Sequence, residues 1–173
     1  DGDPLAAWRA SWRLDALHVG TPEPLLLLRL PGRVLTAQRY SGAHIAAQAL
    51  LRAQTLPAAM PPRARLVRAV AAAVALLHDR GVAHGALVPA NIHLTPDGQG
   101  GVRVLFTGVS SARFYTALPW RCRVRDLARF YSAAYDTTSA AERRLFLRVY
   151  CAALSSPCDM RQLLLAIWEA SQR

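Results

Sequence analysis

The chain has 173 residues, 53% of them apolar, which suits one folded domain with a substantial core and excludes a disordered polymer. Its net charge of +10 comes from 21 basic against 11 acidic residues, and every basic residue is arginine. No apolar stretch is long enough for a membrane span, and the arginines run from Arg9 to Arg173 without a nucleic-acid motif, so a solvated basic face or an anionic partner is expected rather than nucleic acid.

In chain order, the opening DGDPLAAW carries no secretory signal and reads as an internal boundary. Residues 5–18 have helical periodicity, with Leu5, Trp8, Trp12 and Ala16 on one face. Leu25 to Leu30, bounded by prolines, reads as a buried strand, and Val34 to Tyr40 returns after a Pro31-Gly32 turn. Ser41-Gly42 reads as a hinge and Ile45 to Ala53 as a helix. Pro62 opens a helix over 63–79 whose stripe is Leu66, Val70, Val74 and Leu77, stopped by Gly81. A loop over 82–90, a strand at 91–95, a Pro-Asp-Gly turn at 96–98 and a strand at 102–106 follow. Helices are expected at 124–135, 139–154 and 159–171, with Ser139 and Asp159 as N-caps. The fold class is α+β: a small sheet in front and a mainly helical body behind. Cys122, Cys151 and Cys158 lack paired spacing, so no disulfide framework or zinc site is expected and a reducing compartment fits.

The segment LLHDRGVAHGALVPANIHL has the shape of a phosphotransferase catalytic loop. In a working loop the third position is an Asp that accepts the proton of the attacking hydroxyl, and an Asn five residues on binds metal. Here the third position is Ala86, whose methyl group takes no proton, while Asn91 holds the metal-binding place.

With TPEPLLLLRLPGRVLTAQRYSGAH before it, and VRDLARFYSAAY and AERRLFLRVYCAAL after it, this segment resembles the bacterial lipopolysaccharide core (heptose/Kdo) kinases of the protein-kinase-like superfamily. The resemblance covers most of the chain. It implies a protein-kinase-like fold with residues 1–42 as a partial N-lobe (helix, hairpin and hinge) and 43–173 as the C-lobe. It implies that His84 packs structurally, that Gly85 allows close backbone approach, and that Asp126, opening its helix, anchors the loop. An acid placed there also suits the helix dipole with no further role. The second metal ligand, an Asp after the next strand in the family, falls on Phe106, and no acid lies between Asp97 and Asp126 to rescue a shifted register. Asp97 belongs to turn chemistry. The phosphate-binding Gly loop and Lys–Glu pair have no counterpart in these residues.

The expectation is therefore a catalytically inactive pseudokinase, acting as a binding or scaffold module and needing no cofactor. The alternative is a divergent ATP-dependent lipopolysaccharide core heptose/Kdo kinase, which would use ATP and Mg. Lipopolysaccharide core or another protein is the expected partner, without nucleic acid, in the cytoplasm with peripheral contact to the anionic inner membrane surface.

Overall fold

The computed structural model describes residues 3–39, 44–53 and 55–172. The expected Ser41-Gly42 hinge lies outside them, as does Tyr40 at the end of the returning strand. Helix α1 (Pro4–Ala16) starts where the Asp3 side chain accepts the Leu5 N–H at 2.9 Å, with proline in the first turn, where no N–H is needed. Its inward face is not the expected tryptophan stripe. Ala10, Ser11 and Leu14 are buried, whereas Trp12 is 51% exposed and meets Trp8 edge to face. Small side chains let α1 lie close against the 3-10 turn Val109–Ser111.

Strands β1 (Glu23–Leu30) and β2 (Arg33–Arg39) form an antiparallel ribbon, registered from Glu23 opposite Arg39 to Leu30 opposite Arg33. The expected burial of this first strand does not hold: Leu25, Leu26, Leu28 and Leu30 are all exposed. A continuous apolar run tells that a strand could be covered on both faces. It does not tell what packs over those faces, and among the described residues the ribbon packs mainly against α1.

The second sheet is antiparallel, in the order β3 (Ile45–Ala46), β5 (Ile92–Pro96), β6 (Val102–Phe106). Ile45 and Ala46 pair with Leu94 and His93, so the helix expected from Ile45 begins only at α2 (Ala47–Arg52). The turn between β5 and β6 is fastened by Asp97, whose Oδ1 accepts the N–H groups of Gln99 and Gly101 at 2.8 Å each. Those bonds hold its carboxyl below the ordinary range.

Helices α3 (Arg63–Asp79), α4 (Trp120–Ala134), α5 (Ala140–Ala153) and α6 (Met160–Ser171) make the body. The stripe Leu66, Val70, Val74 and Leu77 is buried, as the helical spacing predicts. Helix α3 packs along α5, and α4 along α6. Burying one such aliphatic side chain contributes about 1.5–3 kcal/mol, so the stripe adds substantially to the stability of the body. Helix α4 starts at Trp120 with Pro119 as N-cap, four residues before the expected start. Ser139 and Glu142 form a full capping box on α5, and the Asp159 side chain caps α6. At Gly81, φ is +75° and a Cβ would meet the Tyr115 carbonyl oxygen at 2.1 Å, so α3 ends there. The chain passes into β4 (Val82–Ala83), paired with β7 (Arg113–Phe114). Among the described residues, no helix is long and apolar enough to cross a membrane.

Candidate functional site

The loop after β4 carries His84, Gly85 and Ala86 and returns through the 3-10 turn Pro89–Asn91 into β5. Asp126 fixes its shape. One carboxylate oxygen accepts the His84 N–H at 2.6 Å, and the other accepts the Gly85 N–H at 3.0 Å. Asp126 is fully buried and stands in the second turn of α4, not at its start. A dipole-complementing acid belongs in a first turn, so the helix dipole does not account for it. Gly85 has φ +77°, and a Cβ there would lie 2.4 Å from the Ser111 carbonyl oxygen. Loop and α1 therefore both pack against the Val109–Ser111 turn.

Three further residues support Asp126 from beneath. Arg123 Nη1 donates to the Tyr150 hydroxyl at 2.7 Å, and that hydroxyl lies 2.7 Å from His78 Nδ1. The phenol accepts from arginine, so we assign its own proton to Nδ1. His78 then carries its proton on Nε2, which faces Asp126 Oδ2 at 3.6 Å. Burial lowers the His78 pKa more than the Asp126 carboxylate raises it, so the imidazole is neutral. For Asp126, burial pushes the pKa up, and His78 with the two loop amides outweighs it, leaving the carboxyl below its ordinary value. Burial also pushes the Tyr150 hydroxyl well up. Sequence reasoning missed His78, Tyr150 and Arg123. Only the continuation of the α3 stripe by four residues, from Val74 to His78, hinted at one of them.

Ala86 is half-buried, and its N–H donates to His84 Nδ1 at 3.3 Å. His84 is buried, which lowers its pKa against the opposing pull of Asp126 and the Thr107 backbone. Asn91 Nδ2 donates to the Ala86 carbonyl at 2.9 Å, closing the loop across its five residues. Phe106 is 1% exposed, and its ring meets the His84 ring edge to face at 5.9 Å. The residue hydrogen-bonded beside Asn91 is the next one, Thr107, whose N–H donates to the Asn91 carbonyl at 2.9 Å. Gly108 follows with φ +64°, and a Cβ there would touch the Asn91 amide at 2.7–2.9 Å. The positions flanking Asn91 thus hold a methyl group, a phenyl ring and a hydroxyl. Asp126, the acid beneath the loop, has both oxygens committed to its amides.

Residues 45–150 match the lipopolysaccharide kinase (Kdo/WaaP) family. The chain belongs to that family. No curated protein matches it in sequence. Among solved structures, WaaP in complex with acyl carrier protein superposes with a TM-score of 0.72 at 22% identity, over 95% of this chain and 73% of that one. A double mutant of the PknI kinase domain of Mycobacterium tuberculosis aligns with a TM-score of 0.49 at 19% identity, over 98% of this chain and 80% of that one. The family match spans the whole loop, from β3 to Tyr150. The protein-kinase-like α+β fold expected from the sequence is what the likeness to WaaP shows.

The family resemblance implies magnesium at this loop. The donors beside Asn91 do not fit it. A hard dication takes charged oxygens alongside substrate phosphates. Here Asn91 supplies one amide, neither Ala86 nor Phe106 supplies a carboxylate, and among the described residues no three His, Cys, Asp or Glu side chains gather where a metal could sit.

Proposed function

We propose that this Kdo/WaaP-family chain is a non-catalytic binding module built on a kinase-like loop. The observation that carries the reading is a division within a few residues. Asp126 clamps the loop amides with a buried carboxylate, while Ala86, Phe106 and Thr107 offer no carboxylate for proton acceptance or metal. A missing general base alone costs about 10²–10⁴-fold in rate, and a missing phosphate clamp costs more. Turnover needs charged groups at positions that are neutral here. A fixed binding surface needs only the clamped loop.

Charge supports an anionic partner. Arg121, Arg125 and Arg129 recur every four residues on α4 and are all exposed, whereas Arg123 between them turns inward to Tyr150. WaaP was solved with acyl carrier protein, which makes a carrier protein the first partner to try. Lipopolysaccharide core and the anionic face of the inner membrane are the other candidates, consistent with a cytoplasmic protein. The experiment is calorimetric titration of the full natural chain with acyl carrier protein, against a variant bearing Arg121→Glu, Arg125→Glu and Arg129→Glu. Saturable, salt-sensitive binding lost in the variant is expected. Binding that is equal in both proteins would remove the arginine face from the account.

The second reading is an ATP-dependent lipopolysaccharide core heptose/Kdo kinase. Its specific support is Asn91, still bonded across the loop to residue 86.

A further inference from the structure

The fold brings together two thiols that lie seven residues apart in sequence. Cys151 is in the last turn of α5, and Cys158 directly precedes Asp159, the cap of α6. Their Sγ atoms are 3.1 Å apart. A disulfide bond is about 2.05 Å long, so the two sulfurs stand roughly 1 Å beyond bonding distance. Both thiols are free and half-exposed, within reach of a small oxidant. Cys122 is buried and its Sγ faces the Tyr115 hydroxyl at 3.6 Å, so it serves as an internal comparison.

The geometry points to a dithiol modification site at the α5–α6 corner, which takes a small-molecule disulfide of the glutathione class and closes a Cys151–Cys158 bond. The Cys158 thiolate attacks one sulfur of the small disulfide and expels the first small thiolate, giving a mixed disulfide. Cys151 then loses its proton to solvent and attacks the Cys158 sulfur, expelling the second small thiolate. The protein dithiol is oxidised, the small disulfide is reduced, and two small thiols leave. The order of attack follows from surroundings: burial and the neighbouring sulfur push the Cys151 thiol up to about 12, which holds it protonated until the mixed disulfide stands beside it.

The bond would close a short ring around a corner already tied to the site. Within that corner the Ser155 N–H donates to Asp79 Oδ2 at 2.7 Å, and Asp79 follows His78 in α3. Tyr150, adjacent to Cys151, holds the other ring nitrogen of His78. Oxidation therefore stiffens the base on which the Asp126 clamp rests.

The test uses the reduced full chain, incubated with glutathione disulfide, quenched by alkylation and digested with trypsin. Cleavage after Arg148 and Arg161 leaves both thiols in one peptide, residues 149–161. Expected is that peptide two hydrogens lighter and unalkylated, with Cys122 alkylated normally after unfolding. Cys151→Ser should stop at one glutathione adduct on Cys158, whereas Cys158→Ser, left with the protonated Cys151 thiol, should gain its adduct far more slowly. The oxidised wild type should melt a few degrees higher than the reduced form, a shift both variants lose. Stable glutathione adducts on both thiols of the wild type, faster oxidation of Cys122, no reaction, or a lower melting temperature after oxidation would each overturn the proposal.

Discussion

Replacing Asp126 with alanine removes the acceptor for two loop amides and leaves the Nε2–H of His78 facing a void. A buried donor left without its partner costs about 1–3 kcal/mol. Two amides and part of a third donor bring the sum to about 4 kcal/mol, within the roughly 3–5 kcal/mol expected when one partner of a buried charged set is deleted. At about 2–4 °C per kcal/mol for a chain of this size, melting should fall by roughly 8–16 °C. Asp126→Asn keeps one acceptor oxygen but turns its amide group toward one loop N–H, so its loss should be about half as large. Differential scanning fluorimetry gives the shift, and amide hydrogen exchange locates it, with His84 and Gly85 losing protection before α3 does. If Asp126→Ala melts with the wild type and the loop amides stay protected, Asp126 does not hold the loop and the scaffold argument fails.

Gly85→Ala should lower melting by several degrees, because its Cβ would meet Ser111 backbone while φ stays positive; an unchanged melting curve would mean the turn moves away at no cost. Acid should destabilise the chain in two stages. The folded pKa of His78 and of His84 lies below the ordinary 6.5, so the unfolded state binds more protons and stability falls once pH drops below about 6.5. Asp126 has a folded pKa below its ordinary 3.8, so its contribution is complete above that value and disappears as pH falls through the folded one. His84→Asn should flatten the first stage in a series of melts from pH 7 to 5, and an unaltered slope would assign that stage elsewhere.

Local chemistry was legible in the sequence, and long-range pairing was not. The α3 stripe, the Gly81 stop, the Ser139 and Asp159 caps and the Asp97 turn each follow from residues within a few positions of one another. The loop from His84 to Asn91 was readable for the same reason. His78, Tyr150 and Arg123 were not, because their meeting depends on how α3, α4 and α5 pack, and each alone looks like an ordinary helix residue. The exposure of Leu25, Leu26, Leu28 and Leu30 escaped because an apolar run records tolerance of burial rather than what packs over it. Cys151 and Cys158 escaped because the path between them leaves a helix and turns a corner before the next one begins.

The most direct measurement is transfer of labelled γ-phosphate from magnesium-ATP to lipopolysaccharide core acceptor by the full natural chain that contains these residues. With Ala86 and Phe106 where carboxylates would act, transfer should equal the enzyme-free blank. Magnesium-dependent transfer above that blank, abolished by Asn91→Ala, would contradict the account and restore the loop as a working catalytic site.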